Sequence, residues 1–306
     1  EMTNMKVAEG GLAFLVILCC YLVCFCQASD TLRPGDSLRN NETLVSAGGL
    51  FELGFFGTGG SYSNHYLGIW FKNDKYKKAV WVANRENPIL DDLGVLTIRY
   101  DGNVVITDIR LIPIIVNYGM FATSSNTSAK LLDSGNLILE DGEEKIVWQS
   151  FYYPSDTFLP GMKLGLFDLD TDHVRKQFFV SWLSPLVPTT GPFALGLDSN
   201  NRTLFSAWRR DGVFQHIGFW DGRHSFRFLF LSSSDSYNFT FVSTSKEIYL
   251  TFNTKGNINF SWFVLTSTGE IIEFTMLDQG IAIVNHTLCE GTSVLLDNSK
   301  GCLIPM

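Results

Sequence analysis

Three stretches of the chain repeat one plan: a short apolar run, a bend carrying glycine, and a second apolar run. They are Leu96-Thr-Ile-Arg-Tyr-Asp-Gly-Asn-Val-Val-Ile106, Lys130-Leu-Leu-Asp-Ser-Gly-Asn-Leu-Ile-Leu139 and Phe263-Val-Leu-Thr-Ser-Thr-Gly-Glu-Ile-Ile-Glu-Phe274. Glycine at the bend supplies the positive φ that a tight hairpin needs, at no Cβ cost. Elsewhere short apolar stretches such as Leu50–Phe56, Tyr66–Phe71 and Ala79–Ala83 are broken by Gly, Asn, Asp and Ser every 8 to 12 residues or so, and helical periodicity is scarce. The chain is therefore expected to be all-β. A second echo pairs Gly49-Leu-Phe-Glu-Leu-Gly54 with Gly191-Pro-Phe-Ala-Leu-Gly196. Both echoes recur across the two halves, which predicts a duplicated β-domain. The boundary is placed near Tyr153-Pro-Ser-Asp-Thr157, giving units 30–155 and 156–284. A chain of 306 residues is long enough for two such units, each with its own core, and a 14% aromatic content suits pleated, half-buried sheets.

Residues 1–29 read separately. Gly10 to Cys26 is an unbroken apolar run preceded by Lys6 and followed by Cys26-Gln-Ala-Ser29, the shape of a secretory signal cleaved near Ala28 or Ser29. The run also approaches the lower limit for a bilayer span, so an uncleaved anchor stays open. Four of the six cysteines fall inside it, leaving Cys289 and Cys302. These two either bridge each other or pair with partners beyond Met306. The body from Asp30 to His286 is thus expected to fold on packing alone. Six Asn-x-Ser/Thr sequons, at Asn41, Asn126, Asn201, Asn238, Asn259 and Asn285, agree with a secreted, glycosylated chain. The net charge of −8 argues against a nucleic-acid partner.

Candidate chemistry is sparse. The five histidines, His65, His173, His216, His224 and His286, have no metal-ligand spacing, so neither metal nor cofactor is expected. No Gly-x-Ser-x-Gly elbow occurs. Gly57-Thr-Gly-Gly60 lacks the Lys-Ser/Thr of a phosphate loop and reads as a hairpin tip. Asp168, Asp170 and Asp172 read as turn residues, and Lys72–Lys78 as a solvated basic loop with a partner-binding patch as the lesser option. Trp81 and Trp148, flanked by apolar residues, read as core.

Several segments resemble the extracellular part of plant S-locus glycoproteins and S-domain (bulb-type lectin) receptor-like serine/threonine kinases. They are Trp81-Val-Ala-Asn-Arg-Glu-Asn-Pro-Ile89, Leu131-Leu-Asp-Ser-Gly-Asn-Leu137 and Val147-Trp-Gln-Ser-Phe-Tyr-Tyr-Pro-Ser-Asp-Thr-Phe-Leu-Pro-Gly-Met-Lys-Leu-Gly165, followed by Ser181–Pro185, Gly191–Leu197 and Tyr237–Val242. The resemblance implies two tandem bulb-lectin β-prisms, each of three small antiparallel sheets about a pseudo-threefold axis. It further implies that 285–306 begins a cysteine-rich region, with Cys289 and Cys302 at its edge, and that kinase activity lies outside these residues. Mannose-binding members carry a Gln-x-Asp-x-Asn-x-Val-x-Tyr strand, whose alternate side chains offer sugar hydroxyls fixed donors and acceptors. The match here is Arg99-x-Asp101-x-Asn103-x-Val105-x-Thr107, with Arg in place of Gln and Thr in place of Tyr. A plain hairpin turn at Asp101-Gly-Asn103 is the competing reading. At Asp133–Asn136 the spacing is one residue too long, and the third echo has Thr268 and Glu270 instead. Relatives place a Trp-Ser-Ser-Asn strand before the Asn126 region, which this chain lacks, so the first prism is expected to lose an axial aromatic; Tyr152 stands where relatives place Asp.

The expected function is extracellular recognition of a glycan or a protein ligand, in self-incompatibility-like pollen recognition or defence signalling. Homo- or hetero-dimers with related ectodomains are partners to be considered. The rivals are a mannose-binding defence lectin and a truncated receptor-kinase product.

Overall fold

The computed structural model describes residues 29–59, 64–209, 212–222, 226–228, 237–255, 260–277, 280–284, 296–297 and 301–302. Residues 1–28 of the segment read as a signal, His224, His286, Cys289, Asn259 and Asn285, and the side chain of Cys302, lie outside the described residues. Apart from a 3-10 turn at Ser150–Tyr152, every regular element described is a strand, and every pairing is antiparallel.

Residues 31–149 form three four-stranded sheets. One joins Thr31–Leu32, Thr127–Leu131, Leu137–Asp141 and Ile146–Gln149; the second joins Ser37–Arg39, Val95–Ile98, Val104–Thr107 and Ile114–Ile115; the third joins Thr43–Val45, Phe51–Gly57, His65–Phe71 and Ala79–Val82. The N-terminal stretch thus lends one short edge strand to each sheet of a three-faced prism. Residues 157–284 build a second set. Thr157–Phe158 leads one sheet with Ser261–Leu265, Ile271–Leu277 and Gly280–Val284. Another contains Leu164–Phe167, Arg175–Gln177, Tyr237–Ser243 and Ile248–Thr254, and a five-stranded sheet runs from Phe179–Ser184 to Phe226–Phe228. No sheet mixes strands from the two sets.

The three sequence echoes fold into the same turn. Arg99 N–H donates to Asn103 O and Gly102 N–H to Arg99 O, both at 2.9 Å; Leu132 and Gly135 repeat this against Asn136 and Leu132, and Thr266 and Gly269 against Glu270 and Thr266. The glycines sit at φ +83°, +81° and +90°. A four-residue turn closed by one left-handed residue matches the twist of the strands it joins.

Each sheet of the first prism is closed by one buried polar side chain. Asn84 Oδ1 accepts the Leu67 N–H at 2.8 Å, Asn117 Oδ1 accepts the Val104 N–H at 3.0 Å, and Ser150 Oγ accepts the Leu137 N–H at 2.9 Å. The three clamps are evenly spaced along the chain, and each opens a turn whose fourth residue donates back to it: Asn87 to Asn84, Met120 to Asn117, Tyr153 to Ser150. All three are buried. Two residues beyond each clamped amide, Ile69, Ile106 and Leu139 face Trp81, Ile114 and Trp148 across the ladder. Trp81 and Trp148 are buried with ring centroids 6.0 Å apart, as core residues. Ile114 occupies the third position, an aliphatic residue where the other two sheets carry tryptophan.

The sequence predicts two separate cores; the apolar interior instead runs continuously from one prism to the other. Phe71 packs on Trp262 with centroids 4.1 Å apart, and Phe260 sits edge-on to Phe51 and Phe71 at 5.8 and 5.6 Å. Polar contacts reinforce the joint. The Trp81 indole donates to Tyr153 O, Ser155 Oγ donates to Val80 O, and Arg85 donates to Pro188 O and Ser181 O. The segment 147–165 therefore joins the prisms. Within it Tyr152 lies under the Arg175 guanidinium, 4.6 Å from its ring centre.

Asp156 sits buried at this joint, accepting from the hydroxyl of Thr157. Burial pushes its carboxyl above the usual range, and Lys78 and Arg85 only partly pull it back. An acid whose folded pKa is raised loses stability for the fold as pH rises from its unfolded value of about 4 through the folded one. Asp156→Asn is therefore expected to melt higher than the parent at pH 7.5, with the gain vanishing below about pH 4; a lower melting point at pH 7.5 would contradict this. Asn117→Ala should cost about 1–3 kcal/mol in chemical denaturation, because it strips a buried N–H of its acceptor.

Candidate functional site

The sugar-motif residues do not lie in one extended row. Val95–Ile98 ends before Arg99, and the Gly102 turn carries the chain through Asn103 before Val104–Thr107 begins. The turn rotates Asn103 inward. Its Oδ1 accepts from Asn117 Nδ2 at 2.8 Å and from the Ala122 N–H at 2.9 Å, and the residue is buried. Val105 is also buried, and Thr107 half-buried. Segment 122–127 closes over the turn: Thr127 Oγ1 donates to Gly102 O, and the Ser124 carbonyl lies 2.0 Å from where a Gly102 Cβ would stand.

What faces solvent here is a short polar edge. Arg99 Nη2 approaches Asp101 Oδ2 at 3.5 Å, each side chain about one-third exposed. The Arg99 guanidinium also lies 5.3 Å from the ring centre of Tyr100, which is 84% exposed. Asp101 Oδ1 accepts the Asn103 N–H at 3.1 Å. Partial burial raises its carboxyl pKa, but hydrogen bonds from the Asn103 backbone and side-chain amides, helped by Arg99, outweigh it and hold the group below the usual range.

The equivalent hairpin at Asp133–Asn136 is likewise occupied. Asp133 Oδ1 accepts from Gly48 N–H, Asn136 Oδ1 accepts from Ser150 Oγ and Phe151 N–H, and Asn136 Nδ2 donates to Gln149. At the third hairpin Thr266, Thr268 and Glu270 bond among themselves. Of the sequons, Asn41, Asn126, Asn201 and Asn238 are exposed. No group of His, Cys, Asp and Glu able to hold a metal occurs among the described residues. Nor does any helix among them have the length and apolarity to cross a membrane.

Residues 78–183 match the family model described as D-mannose binding lectin, a span that crosses the joint between the prisms. A G-type lectin S-receptor-like serine/threonine-protein kinase of Arabidopsis thaliana is 39% identical over 74% of this chain and 29% of its own length. An S-locus-specific glycoprotein of Brassica oleracea is 36% identical over 84% of this chain and 60% of its own. Over most of its length the chain is similar in sequence to plant S-domain receptor-like kinases and S-locus glycoproteins. It spans 29% of the length of the first and 60% of the second. Among solved structures, a monomeric mannose-binding lectin from Gastrodia elata matches over 40% of this chain at 20% identity, with a TM-score of 0.30. Among the described residues the chain is nearly all strand, in tandem prisms of the bulb-lectin type.

Sequence reasoning missed Asn117, which the sequence shows only as a polar residue in a loop, and the closure of 122–127 over the turn. The depressed Asp101 carboxylate stabilises the fold above its unfolded pKa and loses that contribution as pH falls through the folded one. Asp101→Asn should therefore be less stable than the parent at neutral pH and converge with it in acid below about pH 4. Paired denaturation curves from pH 2.5 to 7 check this; a constant offset would refute the hairpin's hydrogen bonding.

Proposed function

We propose that this chain is the extracellular recognition module of an S-domain receptor or receptor-like glycoprotein, and that it binds a glycan or protein ligand through exposed loops without catalysis in these residues. The observation that carries this is the state of the mannose hairpin. Asn103 is committed to Asn117 and Ala122, and Arg99, which has no acceptor, replaces the family Gln. Another surface is more open. Ile109, Leu111 and Ile112 before the strand Ile114–Ile115, and Tyr118 and Phe121 after it, are all more than half exposed. Uncovered apolar side chains gathered on one short segment, 109–121, mark a contact surface. The four exposed sequons support a secretory route. The paired prisms would present such loops at the outer face of the plasma membrane, or free in the extracellular space. Dimers with related ectodomains would use the same segment.

The secreted chain is expected to pass a mannan column unretained and to bind related ectodomains or extracellular peptides, with binding lost in Leu111→Asp. Retention on mannan abolished by Asp101→Ala or Asn103→Ala would overturn this reading in favour of a mannose-binding defence lectin. Absence of binding to wall glycans, peptides and ectodomains alike would also count against it.

A further inference from the structure

The joint between the prisms leaves a cleft of about 500 Å³, within the size range of small-molecule sites, which favour domain boundaries. Its floor is apolar and comes from both prisms: Phe71 from the first, Trp262, Val264 and Phe274 from the second. The Trp262 and Phe274 rings stack 5.6 Å apart at 10°. Its rim is the basic loop of residues 72–78, which the sequence reads first as a solvated loop and only second as a partner-binding patch.

That loop is built rather than loose. Asp74 Oδ1 accepts the Tyr76 N–H at 2.9 Å and its Oδ2 the Lys78 N–H at 2.7 Å, while Asp74 and Lys77 donate to Phe71 O and Asp74 O. The single acid of the loop is thus committed to backbone, leaving its lysines free of it. Lys75 and Lys78 both line the cleft, and neither has a carboxylate within ion-pair distance among the described residues. The Lys78 ammonium stands 5.1 Å from the centre of the Phe274 ring, over the floor. The charge that faces Lys78 from the interior is Asp156, which is buried. Arg85, the other cation near Asp156, is turned to the carbonyls of Ser181 and Pro188.

We propose that this cleft binds an amphipathic monoanion, its acidic group held by Lys75 and Lys78 and its apolar body laid on Phe71, Trp262 and Phe274. Two ammonium groups with no ion-pair partner among the described residues select a negative head, against the −8 background of the whole chain. Beneath the polar rim of Asn73, Asp74 and Tyr76 the lining is mostly apolar, and its Thr157 hydroxyl is already given to Asp156, so a ligand with hydroxyls on every edge would leave several unpaired there. The site is separate from both the Asp101 hairpin and the 109–121 segment, so its failure and theirs are distinguishable.

The test is fluorescence titration of the full secreted chain with 1-anilinonaphthalene-8-sulfonate and with its uncharged counterpart, N-phenyl-1-naphthylamine. The sulfonate should bind at one site and weaken roughly tenfold in Lys75→Ala/Lys78→Ala, about what two partly solvated ion pairs supply. The naphthylamine should change less than twofold. Lys145→Ala, on a distant exposed turn, should leave both affinities alone, and Lys75→Arg/Lys78→Arg should retain sulfonate binding, which shows that charge and not folding is being read. Competition then assigns the body: displacement by decanoate points to an aliphatic one, displacement by 1-naphthoate to an aromatic one. Equal sulfonate affinity in the parent and the double-alanine variant overturns the proposal. Displacement by trigalacturonate but by neither apolar acid overturns the apolar body.

Discussion

The first prism depends on three buried side chains that hold the backbone of its middle strands. A sheet of four short strands has little surface to bury, and a three-faced arrangement must bend the chain sharply between faces. Asn84, Asn117 and Ser150 solve both problems at once. Each begins the turn that leaves one face, and each supplies the acceptor for a buried strand N–H, the first of its strand at Val104 and Leu137 and the third at Leu67. An unpaired buried N–H costs about 1–3 kcal/mol, a large fraction of the margin by which a domain is folded. The large rings pack inside a frame that these bonds set.

The same frame explains the fate of the sugar motif. Asn117 clamps Val104 through its oxygen and binds Asn103 through its nitrogen. The residue that would present an amide to a sugar hydroxyl is thereby drawn into the closure of its own face. Recognition must then use what the frame leaves outside, the loops and the junction. The junction is a continuous apolar seam, with Phe71 against Trp262 at 4.1 Å, so the two prisms are fixed against each other and a cleft between them keeps its shape.

Much of this was legible in the sequence, for physical reasons. The glycine bends were readable because a left-handed residue between two apolar runs has few other uses, and all three fold alike. Trp81 and Trp148 were readable as core from their apolar flanks, and the missing third aromatic from the absent tryptophan near Asn117. The clamps were not readable, since Asn117 in Val-Asn-Tyr-Gly looks like any turn asparagine until its partner Val104 is known. The continuity of the two cores was hidden because it rests on Phe51, Phe71, Phe260 and Trp262, which lie far apart along the chain. The lysine-rimmed cleft was hidden for the same reason: rim and floor come from different prisms.

Amide hydrogen exchange resolved at Leu67, Val104 and Leu137 tests the threefold closure most directly. Three equivalent clamps predict that these amides exchange only on opening of the whole prism, with similar and near-maximal protection. Exchange at any of the three as fast as in the exposed loops would mean that its clamp is not formed, and the prism would have to be closed some other way.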